Sequence, residues 1–242
     1  DLRPLVALLE HARTDAAEVH AFQVVGQAVV GHVQAARDPA QDGLGKWIVG
    51  RVRVLRVRRA DVIMIGGGMA NTFVAAEGYD MGRSLQDKDR FELARNLMKK
   101  AKEMGSDIIL PVDFMAGDAF SEKANTKVLE AKDFSDPWMA LDIGPKTIRL
   151  YVETLRRMKS VVWNGPMGVF EMKPFATGTF AIAEAIANLD ATTVIGGGES
   201  ASVVDQMGIE DKFSHVSTGG GASLEMLEGM VLPGVAVLAD KE

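Results

Sequence analysis

Three times in this chain a short strand-like run, apolar in two of the three, breaks into a glycine triplet and then into a helical pattern. Ile63, Met64 and Ile65 precede Gly66, Gly67 and Gly68; Val194 and Ile195 precede Gly196, Gly197 and Gly198; Val216, Ser217 and Thr218 precede Gly219, Gly220 and Gly221. A continuous apolar run suits a strand buried on both faces, which is how strands of helix-covered parallel sheets read. Glycine lacks a Cβ, so backbone N–H groups can approach a ligand closely. A helix start placed there adds free donors and about half a positive elementary charge. The repeated grammar therefore predicts an α/β fold whose strands end at an anion-binding edge. No G-x-G-x-x-G with an acid about 20 residues on is present, and no G-x-x-x-x-G-K-[ST], so neither the dinucleotide fingerprint nor the P-loop is met.

Two stretches carry the chemistry. In V-I-G-G-G-E-S (194–200), Glu199 is a carboxylate where anions should gather. It fits if a divalent cation lies between it and phosphate oxygens, because hard oxygen ligands are what Mg²⁺ prefers. The plainer reading is a helix start, with Ser200 at the cap and an acid in the first turn. In V-V-W-N-G-P-M-G-V-F-E (161–171), a buried strand runs into a loop that Pro166 makes rigid by fixing φ.

Composition narrows the class. A net charge of −6 and a pI near 5.3 argue against nucleic-acid binding. No run of 18 apolar residues is present, so no membrane-spanning helix is expected. The absence of Cys excludes disulfides, thiolate metal sites and Cys nucleophiles, and fits a cytoplasmic protein. The 242 residues, 47% of them hydrophobic, supply a sizeable core for one or two domains. The first residue is Asp1 rather than Met, which reads as a fragment.

From residue 61 onward the pattern is regular. It predicts a strand over 61–65, a helix over 69–77, and a helix over 88–104 with Phe91, Ala94, Leu97, Met98, Ala101 and Met104 on one face, stopped by Gly105. A strand over 107–112 ends in Pro111-Val112-Asp113, where Asp113 faces either a ligand or solvent. The polar stretch 128–134 reads as a surface connection. Gly144 and Pro145 force a turn before a helix over 146–159, with Lys146 a surface lysine in preference to a phosphate ligand.

Five stretches in order resemble the C-terminal, nucleotide-binding domain of phosphoglycerate kinase: M-I-G-G-G-M-A-N-T-F (64–73), L-D-I-G-P-K-T (141–147), V-V-W-N-G-P-M-G-V-F-E (161–171), V-I-G-G-G-E-S (194–200) and H-V-S-T-G-G-G-A-S-L-E (215–225). The resemblance spans about 59–242 and implies a three-layer Rossmann-like parallel sheet with helices on both faces. It implies ATP or ADP and Mg²⁺ as ligands and phosphoryl transfer between ATP and 3-phosphoglycerate. Asn164, Pro166 and Val169 would line the nucleotide pocket, and Glu171 would accept hydrogen bonds from the ribose hydroxyls. Gly66 and Gly67 would join the nucleotide site. Main-chain N–H groups at Gly197, Gly198, Ser200, Gly219 and Gly220 would hold phosphates, with Gly197, Gly198 and Gly220 catalytic in this sense. Glu199 would hold Mg²⁺ where the family usually has Asp, which shifts the carboxylate by about a bond length and retunes the metal site. The family's acid substrate binds a separate N-terminal domain to which nothing here corresponds. A monomer binding adenine nucleotide without turnover is therefore expected, with 3-phosphoglycerate a partner only when that domain is present. A non-catalytic adenine-nucleotide-binding module and a dinucleotide enzyme are the alternatives.

Residues 1–58 do not match. The family should have there a hinge helix, a strand and a lysine-bearing loop; the chain instead has Gly43-Leu44-Gly45-Lys46-Trp47 and an arginine run from Arg51 to Arg59. Lys46 is one position from where the phosphate lysine should fall. Arg51 and Arg53 alternate with Val52 and Val54, which reads as a half-wet strand rather than a nucleic-acid arm. The abrupt change in composition marks 1–58 as an atypical segment, from a wrong reading frame or foreign sequence.

Overall fold

The computed structural model describes residues 21–25 and 60–218. Its main sheet comprises β1 (Ala21–Val25), β2 (Val62–Ile65), β3 (Asp107–Ile109), β7 (Ser160–Asn164), β8 (Thr192–Gly196) and β9 (His215–Ser217), in the order β3-β2-β1-β7-β8-β9. Every pairing in it is parallel. A second, antiparallel sheet of β4 (Asp113–Gly117), β5 (Thr126–Glu130) and β6 (Met139–Ile143) has the order β5-β4-β6. The helices are α1 (Gly67–Ala76), α2 (Phe91–Glu103), α3 (Pro145–Leu155), α4 (Thr177–Ala187) and α5 (Gly198–Met207).

Strand periodicity sorts the side chains into two cores. Ile63 and Ile65 of β2 pack with Met69 and Phe73 of α1 and with Ala94 and Leu97 of α2. Met64, one residue out of phase, packs on the opposite face with Tyr151 and Leu155 of α3, Ile182 of α4 and Val203 of α5. Alternate residues on a strand point to opposite faces, so an unbroken apolar run requires helices on both. The result is the expected three-layer parallel sheet. Its strand order reads outward in both directions from β1, so the order reverses between β1 and β7. In open α/β sheets the crevice at the carboxyl ends beside that reversal is where ligands bind.

β1 lies within the segment 1–58, and it pairs β2 on one side and β7 on the other. The alternating arginines, Lys46 and the glycines at 219–221 lie outside the described residues.

The antiparallel sheet was not expected. The stretch read as a surface connection contributes β5, with Leu129 its one buried residue. A strand with a single buried side chain carries no period-2 signal. β4 buries Phe114 and Ala116 in a satellite core with Met81 and Phe134, but its sequence D-F-M-A-G is poor in β-branched residues. Asp113 faces neither ligand nor solvent. It is fully buried, and its carboxylate accepts from Thr147 N at 2.7 Å, Thr147 Oγ1 at 2.8 Å and Lys146 N at 3.0 Å, capping α3 from across the fold. Lys146 is a surface lysine as expected. Its ammonium donates to Glu130 at 2.6 Å, and with Lys132 holds that carboxyl down to about 2.

Tyr151 ties the sheet to α3. Its hydroxyl lies 2.7 Å from Ile65 O and 3.1 Å from Ile109 O, so one proton serves the ends of β2 and β3. Burial raises the phenol well above the ordinary tyrosine range, so it remains a donor. Tyr151→Phe would take this donor from one buried and one half-buried carbonyl and is expected to cost about 1–2 kcal/mol. Urea denaturation checks this, the midpoint falling with an unchanged m-value; an unmoved midpoint would show that the bonds contribute nothing.

Candidate functional site

Because the main sheet is parallel, β2, β7, β8 and β9 all deliver their carboxyl ends to one edge, and the glycine turns at 66–68 and 196–198 meet there with the loop 165–169. The loops are stitched together through main chain. Gly67 N donates to Met167 O at 2.9 Å, Gly197 N donates to Ser217 O at 2.9 Å, and Gly165 N donates to Ser200 Oγ at 2.7 Å. Gly67 at φ +59° and Gly197 at φ +97° adopt backbone that only glycine holds without strain. A side chain at Gly66 would also collide with Met167 Sδ at 2.5 Å.

These contacts refine what each predicted residue does. The N–H groups of Gly67 and Gly197 are engaged with neighbouring loops, and the fully buried Ser200 hydroxyl accepts from Gly165. Gly198 and Ser200 lie in the first turn of α5, where backbone N–H groups have no intrahelical acceptor. That turn starts at Gly198 with Gly197 at its N-cap, so Ser200, expected at the cap, lies inside the first turn. Among the described residues no neighbouring atom lies within 4 Å of where a Cβ on Gly198 would stand, and Gly198 is exposed.

Asn164 overlooks this turn from the end of β7. Its Nδ2 would lie 2.9 Å from a Cβ on Gly196, and its Oδ1 3.5 Å from one on Gly197. Asn164 is only 7% exposed, and Nδ2 is buried with no hydrogen-bond partner. An unpaired buried donor costs about 1–3 kcal/mol, so an acceptor placed against Asn164 Nδ2 would be stabilised by pairing with it. Glu199, half-buried, sits in the first turn of α5 beside it. No cluster of three or more metal-ligating side chains occurs among the described residues. A cation held at Glu199 therefore needs ligand oxygens from elsewhere, such as a nucleotide's phosphates.

The rest of the loop is braced from below. Pro166 and Val169 are buried, Val169 against Leu141 and Phe175, with Val169 N donating to Leu141 O at 2.8 Å; Glu171 is exposed. Thr179 Oγ1 accepts from Met167 N at 3.0 Å and Gly168 N at 3.2 Å. Asp142 wedges between Gly168 and Gly178, its Oδ1 accepting from Ile143 N at 2.9 Å and its Oδ2 from Gly178 N at 2.7 Å. Burial pushes the Asp142 carboxyl up to about 8, against the pull of those two N–H groups. Sequence reasoning missed both Thr179 and Asp142, since a buried polar residue shows no role until its partner, far along the chain, is in place. Gly219, Gly220 and Lys46 lie outside the described residues.

The family model described as phosphoglycerate kinase matches residues 49–230. The chain is 53% identical over 182 residues to the phosphoglycerate kinase of a Roseiflexus species, covering 75% of this chain and 46% of that protein. It is 52% identical over 185 residues to that of Clostridium novyi, covering 76% of this chain and 46% of the relative. Among solved structures, phosphoglycerate kinase from Coxiella burnetii superposes with a TM-score of 0.78 at 31% identity, over 96% of this chain and 56% of that one. The chain thus spans about half the length of the curated relatives it matches. With a family model covering most of its length and a matching fold, this chain belongs to the phosphoglycerate kinase family.

Proposed function

We propose that the chain supplies the nucleotide half of a phosphoglycerate kinase, binding Mg²⁺ with ADP or ATP. The whole enzyme would transfer a phosphoryl group between ATP and 3-phosphoglycerate, giving 1,3-bisphosphoglycerate and ADP. The observation that carries the reading is the buried, unpartnered Asn164 amide beside the open first turn of α5. Phosphoryl transfer asks little covalent work of a protein, so catalysis is positioning and neutralisation of charge. In that division of labour, N–H groups of Gly198 and Ser200 would hold phosphate oxygens, with Gly219 and Gly220 adding donors as the resemblance implies. Asn164 would donate to the nucleotide, Pro166 and Val169 would line its pocket with Gly66 and Gly67 behind, and Glu171 would accept from ribose hydroxyls. Glu199 would hold Mg²⁺, which supplies compensating positive charge to the phosphates when bound.

The acid substrate requires the other half of the enzyme, so the 242 residues alone bind nucleotide without turnover, as a cytoplasmic monomer. Calorimetric titration with Mg·ADP is expected to give a saturable heat. Glu199→Gln should weaken Mg·ADP binding about tenfold or more by removing a charged metal ligand, and leave ADP binding in EDTA unchanged. Absence of heat and of thermal protection by Mg·ADP would overturn the nucleotide reading. Robust turnover in a coupled kinase assay would overturn the division into halves.

A further inference from the structure

The loop 165–169 carries Pro166 and Val169 but has no side-chain hydrogen bond of its own to hold it. Its polar support comes from neighbouring chain: Ser200 Oγ at Gly165 N, Thr179 Oγ1 at Met167 N and Gly168 N, and Leu141 O at Val169 N. Of these, Thr179 alone serves two successive amides. It sits in the first turn of α4, has no exposed surface, and follows Gly178, whose N–H donates to Asp142 Oδ2 at 2.7 Å. The Asp142 carboxyl in turn fills the space left by the missing side chains of Gly168 and Gly178. The far side of the loop passes the restraint on, because Met167 O accepts from Gly67 N at 2.9 Å. A connected path therefore runs from Asp142 through the α4 turn to the 165–169 loop and on to the first glycine triplet.

We infer that Thr179 is a positioning residue for the nucleotide site: its hydroxyl, anchored through Gly178 to Asp142, sets the loop 165–169 against the glycine turn at 66–68. Thr179 touches no nucleotide in this assignment and acts through Met167 and Gly168. The effect on affinity rests on the nucleotide reading above, whereas the effect on the loop does not. Valine is nearly isosteric with threonine but cannot accept, so Thr179→Val leaves two buried N–H groups unpaired; serine keeps the acceptor.

The test uses the full 242-residue chain with two measurements on Thr179→Val, Thr179→Ser and, as a destabilised control away from the site, Leu129→Ala. Hydrogen exchange is expected to speed up at Met167, Gly168 and Gly67 in Thr179→Val, to remain near parental in Thr179→Ser, and to be unchanged at those amides in Leu129→Ala. Titration with Mg·ADP should show about a tenfold weaker affinity for Thr179→Val, within about twofold of the parent for Thr179→Ser, and no loss for Leu129→Ala. Unchanged exchange at Gly67 in the valine variant, or an equal loss of affinity in Leu129→Ala, would overturn the positioning role. If the parent binds no Mg·ADP, the nucleotide reading fails by itself and the exchange pattern still decides whether Thr179 sets the loop.

Discussion

Gly168→Ala is expected to destabilise the protein by about 3 kcal/mol, a cost of overpacking at the upper end for a single methyl. A Cβ on Gly168 would overlap Asp142 Oδ1 and stand 2.5 Å from Asp142 Cγ and 2.6 Å from its Cβ. The carboxyl has nowhere to retreat, since Ile143 N holds one oxygen and Gly178 N the other. Moving Gly168 instead would stretch its bond to Thr179 Oγ1 and that of Val169 N to Leu141 O. Gly198→Ala is the internal control: among the described residues nothing lies within 4 Å of its Cβ position, and alanine favours the helix it begins. Denaturant midpoints for the two variants should move apart. A Gly168→Ala protein as stable as the parent would mean that the wedge of Asp142 is looser than its contacts indicate.

The stability of the protein is expected to fall as pH rises from about 4 to about 8, through the single carboxyl of Asp142. In the unfolded chain an aspartate titrates near 4, whereas burial holds the folded carboxyl up to about 8. Between those values the unfolded state has released its proton and the folded state has kept it. The folded state therefore binds more protons, and stability declines with rising pH at a slope of about 1.4 kcal/mol per unit from this group alone. The contribution is complete below pH 4 and gone above pH 8. Asp142→Asn cannot titrate, so the stability of the parent relative to the variant should fall steadily across that interval. Parallel pH profiles of the two proteins, measured by urea denaturation at each pH, would refute the assignment to Asp142.

Much of the sheet was legible because its signal is local. Unbroken apolar runs ending in glycine located β2, β7 and β8 within a residue or two, since a strand buried on both faces is apolar along its centre; β9, H-V-S and half-buried throughout, was marked by the glycine triplet after it. The helices over 67–76 and 198–207 began earlier than expected because the triplets' last glycines already belong to the first turn. What escaped was β4, largely buried but with a D-F-M-A-G sequence poor in strand-forming residues, β5, where Leu129 is the one buried residue, and α4, where a small-residue sequence dulls the contrast between faces. The central strand β1 escaped too, inside a segment whose composition matched nothing expected there.

Taken alone, the sequence determined the class of fold, the sheet edge at which the glycine turns gather, and the family, because glycine after an apolar run is a backbone requirement written in single residues. The tertiary structure decided which donors are spoken for. Gly67 and Gly197 turned out to staple loops together, Asn164 to hold an unanswered amide over the α5 turn, and Asp142 and Thr179 to brace the loop from behind. A hydrogen bond has two partners, and when they lie far apart in the chain only the folded arrangement says whether a polar group is satisfied or waiting.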